Sequence, residues 1–258
     1  QHEVDILCLQ EADSVALPAS LGHLRLVHAT EKNRLGLAMY VREDRFHVRA
    51  TRTFQLKKSL HDRVLQPAHE RLLGARLHDR ETGRDLVAAS FHAAPLTALN
   101  SLRRHQISTA ISELRALGPG LPALMVGDFN YPVFQSRLDR HISGEGYELS
   151  LSDKRTYTRY KMFRGHYDFA TSAGFQIDSV RTLAQGTSDH MPILVESLFE
   201  EAVQAARTAG SPPASAPTAI VTATPATRTS GGIETSQPLA VATTAVITQP
   251  RSVPTTPP

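Results

Sequence analysis

The sequence predicts an α/β fold in which two packed sheets are flanked by helices. Short apolar runs rich in β-branched and aromatic residues indicate strands, and these runs fall into two groups along the chain. A segment with helical periodicity follows each group. Helices that cover packed sheets are one of the few stable layer arrangements for such a pattern.

The predicted strands, in chain order, cover residues 4–9, 24–28, 36–41, 46–54, 72–77, 86–91, 123–126, 166–170, 176–182 and 193–197. Several neighbours are expected to pair antiparallel, because turn-forming residues such as those at 79–83 separate them. The clearest predicted helix covers residues 96–117, where apolar residues mark one face and Gly118-Pro119-Gly120 ends it. A shorter helix is predicted at residues 133–142.

The chain divides into a predicted catalytic domain, residues 1–199, and a tail, residues 200–258. The tail is rich in Pro, Thr, Ala and Ser and contains more than half of the 16 prolines, so it is expected to be a disordered linker or stalk. Its short apolar runs at 219–221 and 240–247 are not predicted to be strands, because isolated strands are unstable.

Composition excludes two protein classes. The single cysteine, Cys8, lies inside an apolar run, which rules out a scaffold held by intrachain disulfides. No apolar run is long enough to span a membrane, so we expect a soluble protein, with the cytoplasm slightly favoured over secretion. The net charge of +3 permits a polyanionic substrate without demonstrating one.

Three short acidic strings stand beside apolar runs that indicate buried strands: LQE at 9–11, GDFN at 127–130 and SDH at 188–190. Their polar residues are expected to emerge at one edge of a sheet, where the strands end or begin. Hard oxygen ligands in one place suit Mg²⁺, and Mg²⁺ suits phosphate chemistry. Taken singly, each string also fits an ordinary turn or a solvated strand end.

Five blocks of sequence resemble the endonuclease/exonuclease/phosphatase family, the deoxyribonuclease I-like hydrolases, over residues 3–197. They are VDILCLQE at 4–11, SFHAAP at 90–95, MVGDFN at 125–130, HYDFA at 166–170 and SDHMPI at 188–193. The resemblance implies a four-layer α/β/β/α sandwich with its site at one end of the paired sheets. The SFHAAP block is similar to a string of deoxyribonuclease I, which favours a nuclease. The family usually opens with a strand ending in Asn, but only ten residues precede Glu11, so the catalytic domain is expected to be N-terminally incomplete.

The resemblance also assigns roles to residues. Glu11 is expected to bind the metal, Mg²⁺ or Mn²⁺, and Asp189 offers a second contact. Asp128 is expected to position the attacking water as Asn130 meets a phosphate oxygen, and both count among the metal ligands. His190 is expected to face the scissile phosphate, oriented by Asp168. The predicted catalytic residues are His92, Asp128, Asn130, Asp168 and His190.

Two basic clusters are candidate phosphate contacts, although solvated loops are the simpler interpretation. One contains Lys57, Lys58 and Arg63, and the other, which leads into HYDFA, contains Arg155, Arg159, Lys161 and Arg164. The predicted function is a metal-dependent phosphodiesterase, a monomeric nuclease acting on DNA. The alternatives are a phosphatase or phospholipase C-like hydrolase on the same fold, and an inactive binding module on a stalk.

Overall fold

The structure, a computed structural model, describes residues 4–13, 16–31, 36–59, 69–133, 135–157 and 165–200, and the backbone of 218–223. Its elements in chain order are β1 (Ile6–Ala12), β2 (Ser20–Leu21), β3 (Leu24–Ala29), β4 (Gly36–Arg42), β5 (Phe46–Phe54), β6 (Leu72–Asp79), β7 (Arg84–His92), α1 (Asn100–Leu117), β8 (Ala123–Asp128), α2 (Gln135–Gly144), β9 (Glu148–Leu151), β10 (Asp168–Ala173), β11 (Phe175–Thr182), β12 (Ile193–Phe199) and β13 (Thr218–Ala223).

The strands form two sheets. Sheet 1 has seven strands in the order β11-β12-β13-β1-β4-β3-β2, and sheet 2 has six in the order β5-β6-β7-β8-β10-β9. All the predicted strands are present, and the α/β sandwich of the deoxyribonuclease I type is confirmed. Both described helices belong to the outer side of sheet 2, where α1 and α2 share an apolar cluster with β7 and β8.

The residues of β1 show why its sequence is an almost unbroken apolar run. Ile6 and Cys8 pack into the core between the sheets, whereas Leu7 and Leu9 join a second cluster on the other face of sheet 1. A strand that is buried on both faces needs apolar residues at every position. The inert, buried Cys8 that the sequence predicts is confirmed.

A buried ion cluster ties the two sheets together at the end where β1 begins. The Arg45 guanidinium donates to Asp5 beside β1 at 2.9 Å and to Asp79 on β6 at 3.0 Å. All three side chains are almost completely buried. Because these charges satisfy one another, they can lie inside the fold.

The predicted start of the first helix is wrong. Residues 96–99 form a turn in which the Ala98 N–H donates to the Pro95 carbonyl, and Leu99 is extended, so the helix begins at Asn100. Sequence reasoning also missed β2 and β9, which are too short for their periodicity to stand out.

One short part of the predicted disordered tail is ordered. Residues 218–223 form β13, which pairs parallel with β1 and antiparallel with β12. The expectation that this run lacks a strand partner is therefore wrong, because its partners lie far away in the sequence. Apart from Glu200, the remainder of the tail lies outside the described residues. Among the described helices, none combines the length and apolar character needed to cross a membrane.

Candidate active site

Three neighbouring strands of sheet 2 place polar residues in one row. In the parallel β7–β8 ladder His92 is the partner of Asp128, and in the antiparallel β8–β10 ladder Asp128 is the partner of Asp168. The sequence blocks SFHAAP, MVGDFN and HYDFA therefore meet at the same edge of the sheet.

Sheet 1 brings Glu11 and His190 to the same edge. Glu11 lies near the end of β1, and His190 comes shortly before β12. A buried hydrogen-bond chain links the sheets beside Glu11: the Gln10 Nε2 donates to the Ser90 Oγ at 2.7 Å, and that hydroxyl donates to the Leu9 carbonyl at 3.2 Å. These bonds fix β1 against β7 next to the site.

The backbone is strained where the site residues sit. Glu11 and Asn130 are the described non-glycine residues with positive φ, at 54° and 49°. Such conformations are uncommon for residues with a Cβ, and they concentrate at functional sites. The β1–β4 register shifts between Leu9 and Ala12, which shows that Glu11 sits in an irregularity that interrupts the strand's alternation. Sequence reasoning placed Glu11 just beyond the strand, which is wrong because β1 continues to Ala12.

Gly127 allows β8 to approach β7 closely at the site. Its φ is 147°, and a Cβ added there would lie 1.9 Å from the Phe91 carbonyl oxygen. No other residue type fits this space.

Asp128 and Asn130 form a local unit rather than two independent side chains. The Asn130 N–H donates to Asp128 Oδ1 at 2.8 Å, and its side-chain amide donates to Oδ2 at 3.0 Å. Burial, together with the Asp168 and Glu11 carboxylates and against the effect of His190, raises the pKa of Asp128 to about 7.

His190 and Asp168 form a buried pair. The distance from His190 Nδ1 to Asp168 Oδ2 is 2.7 Å. Burial alone lowers the pKa of an imidazole, but the carboxylates of Asp168 and Asp128 outweigh this and raise the pKa of His190 to about 10. The ring also packs edge-on against Tyr157 and Tyr167, which restrict its orientation.

One nitrogen of the His92 ring lies close to two acids from different sheets. Its Nε2 is 3.9 Å from Glu11 Oε1 and 3.6 Å from Asp128 Oδ2. The buried Arg71 guanidinium donates to the backbone carbonyls of His92 and Ala93 at 3.0 and 2.8 Å. Arg71 therefore fixes the strand end that carries His92.

The donor set fits a divalent cation. Potential ligand atoms of Asp128, Asp168 and His190 lie within 4.8 Å of one another. Asp128 accepts from Asn130, and Asp168 is paired with His190, but a carboxylate oxygen that accepts one hydrogen bond keeps a second lone pair with which it can bind an ion. Carboxylates are the ligands that Mg²⁺ uses, and a cation among them would relieve their mutual repulsion.

The structure thus brings together Glu11, His92, Asp128, Asn130, Asp168 and His190. The half-buried Asp189 lies close enough to His190 to raise its pKa. Arg155 is exposed and lowers the pKa of His166, so it lies near the HYDFA block. Arg63, Arg159, Lys161 and Arg164 lie outside the described residues.

Sequence reasoning missed several supporting residues. Gln10, Ser90 and Arg71 hold the strand ends, and Tyr157 packs on His190. Only Gln10 and Ser90 carried a signal, since a polar residue within an otherwise apolar strand needs a buried partner.

A two-sheet α/β sandwich with acids and imidazoles along one rim defines a deoxyribonuclease I-like hydrolase. The family model described as Endonuclease/Exonuclease/phosphatase family matches residues 1–190, and the chain belongs to this family. Its members are hydrolases that include nucleases and phosphatases, and they depend on divalent metals.

Solved structures share the fold at low identity. The human nocturnin catalytic domain with bound sulfate has 19% identity and a TM-score of 0.61, covering 76% of this chain and 81% of that one. A mannosyl-6-phosphatase of Bacteroides thetaiotaomicron has 18% identity and a TM-score of 0.58, and the match covers 76% of this chain and 85% of that one. D. rerio TDP2 complexed with a single-strand DNA product has 13% identity and a TM-score of 0.56, and the match covers 72% of this chain and 83% of that one. No curated protein is significantly similar in sequence.

Proposed function

We propose that this protein is a divalent-metal-dependent phosphodiesterase, a nuclease that hydrolyses DNA. One observation carries the proposal: the carboxylates of Glu11 and Asp128, from separate sheets, both lie within 4 Å of the same nitrogen, Nε2, of His92. The hydrogen-bonded pair of His190 and Asp168 stands beside them.

Glu11 and Asp128 are the residues that would hold Mg²⁺ or Mn²⁺, with Asn130 and Asp189 as further contacts. The bound ion would neutralise charge on the phosphoryl oxygens. The arrangement needs oxygen ligands from both sheets, and the Gln10–Ser90 hydrogen bond keeps those sheets at a fixed separation.

The imidazoles supply the remaining chemistry. Asp168 accepts the Nδ1 proton of His190, which leaves the other ring nitrogen to act on the phosphate or on the attacking water. His92 and the Asn130 amide would donate to phosphate oxygens as charge builds up on them. Asp128, whose pKa is near neutrality, takes the proton of the water, because the raised pKa of His190 keeps that imidazole protonated.

DNA is the proposed substrate for two reasons. The SFHAAP block resembles the corresponding string of deoxyribonuclease I, and TDP2, which shares the fold, has been solved with a single-strand DNA product. The phosphate contacts proposed for Arg155, Arg159, Lys161 and Arg164 would add the electrostatic attraction that nucleic-acid binding requires.

A phosphatase is the second candidate. The mannosyl-6-phosphatase is as similar in fold as the nucleic-acid enzyme, with TM-scores of 0.58 and 0.56, so overall shape does not separate a monoester from a diester substrate.

The test compares the two bond types with one protein sample. We expect Mg²⁺ or Mn²⁺ to support nicking of supercoiled plasmid, and chelation with EDTA to stop it. Asp128→Ala and His190→Ala should abolish nicking, whereas Asp178→Ala, at an exposed position on β11, should leave it unchanged. Hydrolysis of a sugar phosphate with DNA left intact would contradict the nuclease proposal and support the phosphatase.

A further inference from the structure

β13 lies between the two strands that bring residues of sheet 1 to the site. On one side Ala223 is the partner of Leu9, two residues before Glu11. On the other side Thr222 is the partner of Ile193, three residues after His190. The end of β13 is therefore level with the residues that lead to both Glu11 and His190.

We propose that β13 is a positioning element of the active site, which sets the separation between the strand of Glu11 and the strand of His190. Neighbouring strands lie about 4.8 Å apart, so β1 and β12 are separated by about two spacings with β13 between them. The expected effect of β13 on catalysis rests on the proposed function, whereas its pairing with β1 and β12 does not.

The backbone pairing explains why the segment must stay in place. The ladder to β1 runs from Ile6–Ile220 to Leu9–Ala223, and the ladder to β12 runs from Ile193–Thr222 to Ser197–Thr218. If the segment left, the edges of β1 and β12 would lose hydrogen-bond partners in the interior of a seven-stranded sheet.

The sheet can respond in two ways, and both disturb the site. β1 and β12 can separate, or they can pair directly. A direct pair would be antiparallel, because β13 is parallel to β1 and antiparallel to β12. Direct pairing would bring the strand of Glu11 about one spacing, roughly 4.8 Å, closer to that of His190. A misplacement of about 1 Å is enough to lower a rate about 100-fold.

β13 also lies close to a strand of the opposite sheet. It packs across the sandwich against β8, the strand that carries Gly127 and Asp128. The C-terminal segment therefore contacts, through the backbone of its strand, all three strands that lead to Glu11, Asp128 and His190. The sequence predicts this segment to be part of a disordered linker or stalk, and the fold makes it a structural part of the catalytic domain.

The test uses the full chain with a proline in β13 and a matched proline in the tail. Ile220→Pro removes an N–H from the middle of the strand, whereas Val241→Pro makes a similar change well beyond it. We expect Ile220→Pro to lower kcat by at least about 100-fold and Val241→Pro to leave kcat within threefold of the wild type. A synthetic peptide of residues 216–225 should restore activity to Ile220→Pro, and the same peptide carrying Ile220→Pro should not.

Hydrogen exchange on the wild-type full chain tests the strand without any mutation. We expect amides at 218–223 to exchange as slowly as those of β1 and β12. Exchange as fast as that of the isolated peptide would overturn the proposal, as would Ile220→Pro activity equal to that of Val241→Pro.

If the proposed function is wrong, the experiments give a different result from the one that overturns the role of β13. In that case the wild type would hydrolyse no phosphate ester, while the exchange measurement would still decide whether β13 is in place. Mn²⁺ affinity, compared between Ile220→Pro and Val241→Pro, would then report the positioning of the site without catalysis. Equal affinities would overturn the proposal, and an affinity lowered at least tenfold in Ile220→Pro would support it.

Discussion

His190 Nδ1 lies 2.7 Å from Asp168 Oδ2, in a pair whose side chains are 10% and 2% exposed. The two residues are 22 positions apart: Asp168 begins β10 of sheet 2, and His190 lies shortly before β12 of sheet 1, so the bond forms only when the two sheets come together. It fixes which nitrogen of the ring is available to substrate. This orientation is the basis of the first prediction.

Asp168→Asn should lower kcat/KM by about 10²- to 10⁴-fold, since this is the contribution of a positioned acid–base group. The amide keeps the size of the carboxylate but removes the charge that holds the imidazole. Plasmid-nicking rates for Asp168→Asn and for Asp178→Asn, at an exposed position, provide the comparison. Equal rates for the two variants would show that the pair does not act in catalysis.

Gly127→Ala should destabilise the fold by about 3 kcal/mol or more, because it combines a disfavoured φ with a collision against the Phe91 carbonyl. Gly83 also has a positive φ, but a Cβ added there would meet no atom within 4 Å. Gly83→Ala should therefore cost only about 1–2 kcal/mol. Urea unfolding of both variants measures the difference, and equal costs would mean that β8 can move away from β7.

Arg45→Met should cost about 3–5 kcal/mol, because it leaves Asp79 buried without its counter-charge and Asp5 with Arg42 alone. Arg25→Met removes an exposed ion pair with Glu43 and should cost at most about 1 kcal/mol. Thermal or urea unfolding of both variants checks the contrast. A cost below about 1 kcal/mol for Arg45→Met would show that the cluster does not hold the sheets together.

Cys8 should make the native state less stable at high pH. Burial raises the pKa of its thiol well above the usual value of about 8.5, so the unfolded chain loses this proton first. The group's contribution is therefore fully present below about pH 8.5 and has fallen by about 2 kcal/mol at pH 10. Urea unfolding of Cys8→Ala should show a pH dependence that is flatter than the wild type's by this amount. Identical slopes would contradict the burial of the thiol.

Most strands and both described helices could be predicted, because apolar runs and turn-forming residues in the local sequence indicate them. The apolar run of β1 and the strand–turn string GDFN each identify an element from consecutive residues, without reference to its partners in the sheet. The residues that meet at the rim lie at or beside the ends of such strands. Their catalytic and metal-binding roles stay predictions.

The features that could not be predicted depend on the pairing of strands that are far apart in the sequence. The pairing of Thr222 with Cys8 joins residues more than two hundred positions apart, and the composition around Thr222 favours disorder. The bulge at Glu11 and the support of His92 by Arg71 are likewise products of packing between distant elements. No periodicity in the sequence reports them.

The most direct test of the site is a calorimetric titration of Mn²⁺ into the full chain. One ion per chain should bind, and Glu11→Gln and Asp128→Asn should each weaken binding at least tenfold, about 1.4 kcal/mol. Glu43→Gln, at the exposed pair with Arg25, should bind as the wild type does. Absence of saturable binding, or an unchanged affinity in Glu11→Gln, would contradict a metal centre built from both sheets and would favour a binding module.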